Sequence, residues 1–145
     1  MMEAQPTEVA LAVLYRENRY LMQLRDRIPN ILYPGFWGLF GGHLEPDESP
    51  DEGIRRELLE EIGYCPPELH KFGCDTDPGI VRHIYHGPLT VPLERLILGE
   101  GWDMELITPE QVQEGQAFSV KANEVRPLGT PHQRIVLSVI NAGWG

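Results

Sequence analysis

Residues 42–64, GHLEPDESPDEGIRRELLEEIGY, decide how the rest of the chain is read. Eight of the chain's 22 carboxylates fall between Glu45 and Glu61, with only Arg55 and Arg56 among them to offset the charge. The second half of the stretch is written as a helix. Ser49 is an N-cap residue type, and Glu52 follows three residues later, as in a capping box. Pro50 takes the first helical position, where a missing N–H is no loss. Gly63 supplies a left-handed stop, with Pro66 and Pro67 shortly after it. The pattern predicts a helix over Pro50–Ile62.

Within that helix Ile54, Leu58 and Ile62 recur every four residues and form an apolar stripe for burial. Glu57 stands three residues before Glu60 and four before Glu61, so the three carboxylates are expected to converge near one side. Like charges so spaced destabilise a bare helix, and the one good partner in reach is Arg56, four residues before Glu60. Two readings stay open at this point. One is a solvated acidic face; the other is a site for a hard divalent cation with oxygen ligands, such as Mg²⁺, which is usually held by a few carboxylates plus substrate phosphates.

The full spacing is Gly42, five residues, Glu48, seven residues, and then Arg56-Glu57-Leu58-Leu59-Glu60-Glu61-Ile62-Gly63-Tyr64. It resembles the signature of the Nudix hydrolase family, with every fixed polar and glycine position filled. Tyr64 departs from the bulky aliphatic residue at the last position, and Phe40 precedes Gly41 and Gly42 where the family usually shows Pro. The resemblance implies a Nudix-type α/β/α sandwich with a mixed central sheet. It also implies metal-dependent hydrolysis of a diphosphate linkage in a nucleoside diphosphate joined to another moiety, such as a nucleotide sugar, ADP-ribose or an NTP. Mg²⁺ or Mn²⁺ would be held by Glu57, Glu60 and Glu61, with the Gly41 carbonyl as an extra ligand. One of these glutamates, or Glu100, would take a proton from water; Arg56 would fix Glu60 or Glu48 in place, with Glu48 in a supporting role. Glu100 is the position that best resembles the further carboxylate that family members bring from a later loop or strand, with Glu105 in reserve. The alternatives are a non-catalytic Nudix-like module that senses a nucleotide, and a diphosphate isomerase on the same fold. The first usually loses box carboxylates, none of which is lost here; the second lacks a candidate catalytic cysteine near the box, Cys65 lying just past its end.

A chain of 145 residues is expected to form one domain and to bury about two-thirds of its unfolded surface. Its net charge of −10 argues against non-specific binding to nucleic acid or anionic membranes, which demand positive patches. A phosphorylated small-molecule nucleotide must then be received through metal ions and a few placed arginines. The sequence has no apolar run of spanning length, and MMEAQPTEVA lacks the basic region and apolar core of a signal peptide. Cys65 and Cys74 are too few for a disulfide scaffold, so reduced thiols in a cytoplasmic protein are expected. His83 and His86 would face opposite ways on a strand, and no zinc site is expected. A homodimer is open, because family members are frequently dimers.

Taken in order, VALAVLY at 9–15 suits a central strand covered on both faces, and YLMQLR at 20–25 is its hairpin partner. Arg25 and Arg27 are candidate substrate contacts, because a planar guanidinium matches phosphate oxygens two at a time, or else plain surface charge. Tyr33, Phe36 or Trp37 are aromatics that would stack on a base or join the core. Further strands are expected at 69–74, 80–86 and 92–98. A short helix ended by Gly115 is expected after the capping pattern Thr108-Pro109-Glu110-Gln111, and a C-terminal helix with Ile135–Ile140 as its inner face after Thr130-Pro131-His132-Gln133, with a polar connection of no clear period at 117–129.

Overall fold

In the computed structural model, which describes residues 5–26, 35–99 and 101–145, the chain builds a mixed seven-stranded sheet between helices. Strand β1 (Thr7–Arg16) lies at its centre and pairs in parallel with β6 (Ile80–Pro88), which pairs antiparallel with β5 (His70–Asp77). On its other side β1 meets β2 (Arg19–Leu24) through a tight turn and, further along, β4 (Phe40–His43). Strands β3 (Trp37–Gly38) and β7 (Asp103–Ile107) both attach to β2. A parallel pair at the centre requires cover on both faces, and the apolar run of β1 provides for it. Val9, Leu11 and Val13 enter one core, and Ala10, Ala12 and Leu14 enter the other.

Helix α1 (Pro50–Ile62) has the bounds that its sequence predicts. The Ser49 side chain accepts from the Glu52 N–H, Glu52 returns the bond to the Ser49 N–H, and Gly63 closes the helix at φ 65°. Its stripe of Ile54, Leu58 and Ile62 is fully buried against Ala10, Ala12, Leu14, Leu21 and Phe40. Phe40, standing where a Pro was expected, explains itself here: it pairs with Ala12 in β4 and packs its ring into this core. The Tyr85 hydroxyl on β6 donates to Asp51 and ties the first turn of α1 to the sheet.

Helix α3 (Thr130–Asn141) covers the opposite face with Ile135, Val136 and Val139, beside the six-residue α2 (Pro109–Glu114). The capping box predicted at Thr108 is present. At Thr130 the expectation fails: Gly129 is the N-cap, no side chain caps the helix, and Thr130 is already its first residue. The Gly129 N–H instead donates to the Trp37 carbonyl, fastening the helix start to β3.

Two further expectations are corrected. Residues 92–98 form no strand but a 3₁₀ turn at Leu93–Arg95 followed by extended chain. The Ile97 and Gly99 N–H groups donate to the Ile62 and Glu61 carbonyls, so this segment satisfies the orphan carbonyls of the last turn of α1 rather than a sheet neighbour. Residues 117–129 are not a patternless connection: β8 (Gln116–Ser119) and β9 (Glu124–Pro127) form a hairpin, with Ala117 and Ser119 turned inward.

His132 belongs to the same α3 face. Its Nδ1 accepts from the Leu39 N–H at 3.0 Å, and its ring lies against Gly38. Burial, with Arg25 and Arg82 nearby, lowers its pKa from 6.5 to about 4. The unfolded chain protonates this ring near 6.5 and the folded protein does so only near 4, so its contribution is complete above 6.5 and is lost as the pH falls toward 4. Urea titrations across this range should show up to about 3 kcal/mol of acid-side loss that is missing in His132→Gln, whose acceptor does not titrate. Leu58→Ala should lower stability by about 3 kcal/mol at neutral pH in the same assay, through the cavity it leaves under α1.

Candidate active site

Glu57 and Glu61 stand one turn apart on α1 and face the strand that carries Gly41 and Gly42. Their carboxyl groups lie against each other. Glu61 is held on both oxygens: the Gly41 N–H donates to Oε1 at 3.0 Å and the Gln23 amide donates to Oε2 at 3.3 Å. Burial, then the hydrogen bond and charge of Glu57, push its pKa well above the carboxylate range, against the opposing effect of Gly41 and Gln23. An acid so placed retains a proton unless another positive charge takes its place.

The glycines make this approach possible. At Gly42 a Cβ would stand 2.8 Å from Glu57 Oε1, and at Gly41, with φ 136°, a Cβ would collide with the Ala10 carbonyl. Gly42 therefore leaves a cradle that the Glu57 carboxyl fills.

Arg56 is the hub of the acidic turn. Its Nε and Nη2 hold Glu48 as a fork, at 2.7 and 2.9 Å, while Nη2 also donates to the His43 carbonyl at 3.2 Å. Its Nη1 donates to Glu57 at 3.2 Å and Glu60 at 3.3 Å. The Arg56 bond, with a backbone bond from Glu45, lowers the Glu48 pKa to about 2, so Glu48 remains an anion throughout the neutral range.

The structure brings together Glu57, Glu61, Arg56 and Gly41. It does not bring Glu60 into the same point: Arg56 draws that carboxylate outward, and its side chain is 60% exposed. Among the described residues no three His, Cys, Asp or Glu side chains gather as a ready metal cage, so the expected three-way convergence is a two-way one. Trp37 is corrected from a substrate contact to a core residue. Its ring is fully buried, its Nε1 donates to the Ala117 carbonyl at 3.1 Å, and no face is left for a base. Arg25, at the end of β2, has a buried Nε with no hydrogen-bond partner among the described residues. Arg27, Tyr33 and Glu100 lie outside the described residues. Glu105, the reserve acid, sits on β7 with its pKa raised by burial and by Asp103.

Gln23 and His132 were missed in the sequence. Nothing distinguishes one glutamine in an apolar strand, although Gln23 faces the α1 side between Leu21 and the strand end, and that parity points it at the acidic helix. His132 stood inside a capping pattern, which hid its role.

The donor set suits a hard cation. Carboxylate oxygens and a glycine backbone favour Mg²⁺ or Mn²⁺ over softer metals, and the abutting pair of acids is a place where a cation substitutes for a proton. Comparisons with known proteins agree with this architecture. The NUDIX domain profile matches residues 5–137. A "MutT-like protein" of Streptomyces ambofaciens is 32% identical over 126 residues, covering 84% of this chain and 78% of that one. The "Nucleoside triphosphatase NudI" of an Enterobacter species (strain 638) is 50% identical over 32 residues, a match spanning 22% of this chain and 23% of that one. The NUDIX domain of Shewanella oneidensis NrtR, solved in complex with ADP ribose, superposes with a TM-score of 0.72 at 20% identity, over 97% of this chain and 90% of that one. Its acidic helix, its mixed sheet and a profile match along almost its whole length place the chain in the NUDIX domain family, as a Nudix pyrophosphohydrolase by class.

Proposed function

We propose that this chain hydrolyses a diphosphate linkage in a nucleoside diphosphate joined to another moiety, with Mg²⁺ or Mn²⁺ as cofactor. The observation that carries the reading is the paired carboxyls of Glu57 and Glu61 against the Gly41 backbone. Glu57 and Glu61, with the Gly41 carbonyl and Glu60 once its side chain turns inward, are the groups that would hold the cation. When bound, the cation supplies charge neutralisation at the bridging phosphates and acidifies water.

The protein's own part is positioning. Gly41 and Gln23 orient Glu61, and Arg56 orients Glu57 while locking the loop through Glu48 and the His43 carbonyl. Attack on a phosphorus ringed by anionic oxygens is slow because like charge repels the nucleophile, so fixed geometry and charge placement supply most of the rate. One glutamate, Glu57 or Glu100, accepts the proton of the attacking water. Arg25, just past the end of β2, is the guanidinium offered to a substrate phosphate. The ADP ribose held by the Shewanella NUDIX domain falls within the substrate class assigned here.

A panel of nucleoside triphosphates, nucleotide sugars, ADP-ribose and dinucleoside polyphosphates, assayed with Mg²⁺ for phosphate or monophosphate release, tests the reading directly. On whichever compound turns over, Glu57→Gln and Glu61→Gln should each lower kcat about 100-fold or more, with unchanged circular dichroism. Near-normal turnover in either variant would remove the site proposed. Arg56→Lys should lower activity about 10- to 100-fold, because an ammonium cannot reproduce the fork on Glu48 while also reaching Glu57.

A further inference from the structure

The sheet face that α1 covers carries a second group of reactive side chains, away from the paired acids. Alternate residues of β1 point to that face, where Ala10, Ala12 and Leu14 enter the core under α1, and Glu8 precedes them in the same alternation. His83 is the partner of Ala10 in the parallel pairing of β1 with β6, and of Cys74 in the antiparallel pairing of β6 with β5. Three neighbouring strands thus bring Glu8, His83 and Cys74 into one row. The His83 ring joins them: its Nε2 lies 2.9 Å from Glu8 Oε1 and its Nδ1 lies 3.7 Å from Cys74 Sγ.

Exposure divides the roles. The His83 side chain is 12% exposed, so the ring is held among its neighbours, whereas the Cys74 thiol is open to solvent. The two ring nitrogens are engaged on different sides of the imidazole, so Cys74 and Glu8 cannot join His83 around one ion, and among the described residues no metal cage includes them. The arrangement is that of a thiol, a base within reach of its proton, and an acid that orients the base. A carboxylate only accepts, so Glu8 takes the Nε2–H and leaves Nδ1 as the acceptor that faces sulfur. Cys65 lacks such a base, its sulfur meeting Arg55 and the Pro66 carbonyl. The other charged and titratable groups close to the row are Tyr85 on β6, whose hydroxyl donates to Asp51, and Asp51 and Arg55 on α1.

We propose that Cys74 is a modification site, a thiol that His83 and Glu8 activate toward small disulfides carrying amines. His83 Nδ1 takes the Sγ proton, and Sγ bonds to one sulfur of the disulfide. The S–S bond of that molecule breaks, and the departing sulfur takes the electron pair and then the proton from His83. Cys74 is oxidised and the departing sulfur is reduced, so one thiol and one disulfide give one mixed disulfide and one small thiol with no further oxidant. Amines are favoured because Glu8 and Asp51 outnumber Arg55 around the sulfur, on a chain of net charge −10. None of the three residues belongs to the acidic helix, so the assignment stands apart from the hydrolase reading.

The test uses the full chain with Cys65→Ser, which leaves Cys74 as its one thiol, and follows mixed-disulfide formation with cystamine by intact mass. A peptide of residues 70–77 gives the rate of the same thiol without its partners. The folded chain should react about tenfold faster than the peptide, and Cys74→Ser should form no adduct. His83→Gln, which retains polar atoms but takes no proton, should fall to the rate of the peptide and lose an inflection in its rate–pH profile. Glu8→Gln, which retains an acceptor without the charge, should slow the reaction about threefold and displace that profile. At low salt cystamine should outpace the dianionic dithiodiglycolate, with the gap closing as salt is added. A folded chain no faster than the peptide, or a His83→Gln variant of native circular dichroism with unchanged rate and profile, overturns the assignment; equal rates with the two disulfides overturn the preference for amines. If His83→Gln does not fold, Glu8→Gln and the peptide comparison decide.

Discussion

Two carboxyl groups pressed together beside a glycine backbone set the terms for everything else in this fold. Glu61 is largely withdrawn from water and lies against Glu57, an arrangement that costs free energy in any protein that does not use it. Its neighbours are organised to hold that geometry rather than to relieve it. Gly42 gives up a Cβ so that Glu57 can come close, and Gln23 and the Gly41 N–H donate to Glu61 without neutralising it. Arg56 has one charge to distribute among several acids, and its tightest bonds go to Glu48, away from the pair. The pair of Glu57 and Glu61 is therefore left without a balancing positive charge of its own beyond the single Arg56 bond to Glu57.

The strand opposite them shows how closely this is specified. From Trp37 to Gly42 each residue has a separate assignment. Trp37 and Phe40 anchor the segment in the two cores, on opposite faces of the sheet. Gly38 lies against the His132 ring, and Leu39 donates its N–H to the same ring. Gly41 and Gly42 then meet Glu61 and Glu57. Helix α1 and helix α3 thus grip one short piece of backbone from its two sides, and the position of the glycine pair depends on both.

The parts of this that could be read from the chain are those carried by local rules. The cap at Ser49, the stop at Gly63 and the four-residue recurrence of Ile54, Leu58 and Ile62 are all settled within α1, so its bounds and buried face followed from sequence. The unbroken apolar run of β1 likewise announced a strand with two covered faces. What was not legible depends on partners distant in the chain. Residues 92–98 have the composition of a strand, but the Arg95 and Leu96 N–H groups close a 3₁₀ turn and the Ile97 N–H is claimed by the end of α1. Trp37 looked available for stacking because an aromatic in a loop carries no mark of burial, and Glu60 looked equivalent to Glu57 and Glu61 because spacing alone does not show which carboxylate Arg56 draws outward. The hairpin of β8 and β9 was hidden by its brevity, since Ala117 and Ser119 are two small inward residues between exposed Phe118 and Val120.

That hairpin bears on the site in an indirect way. Ser119 on β8 fixes Asp103 at the start of β7, Asp103 fixes its own neighbour Met104, and Met104 lies across from Gln23, which holds Glu61. A chain of directed contacts therefore runs from the late, irregular third of the sequence to the acid at the centre of the helix. The acidic helix carries Glu57 and Glu61, and the segments between β6 and β9 brace the strand that holds Glu61 in place. Charge reinforces the division of labour. A molecule with a net charge of −10 offers no broad positive field to draw a phosphate in from a distance.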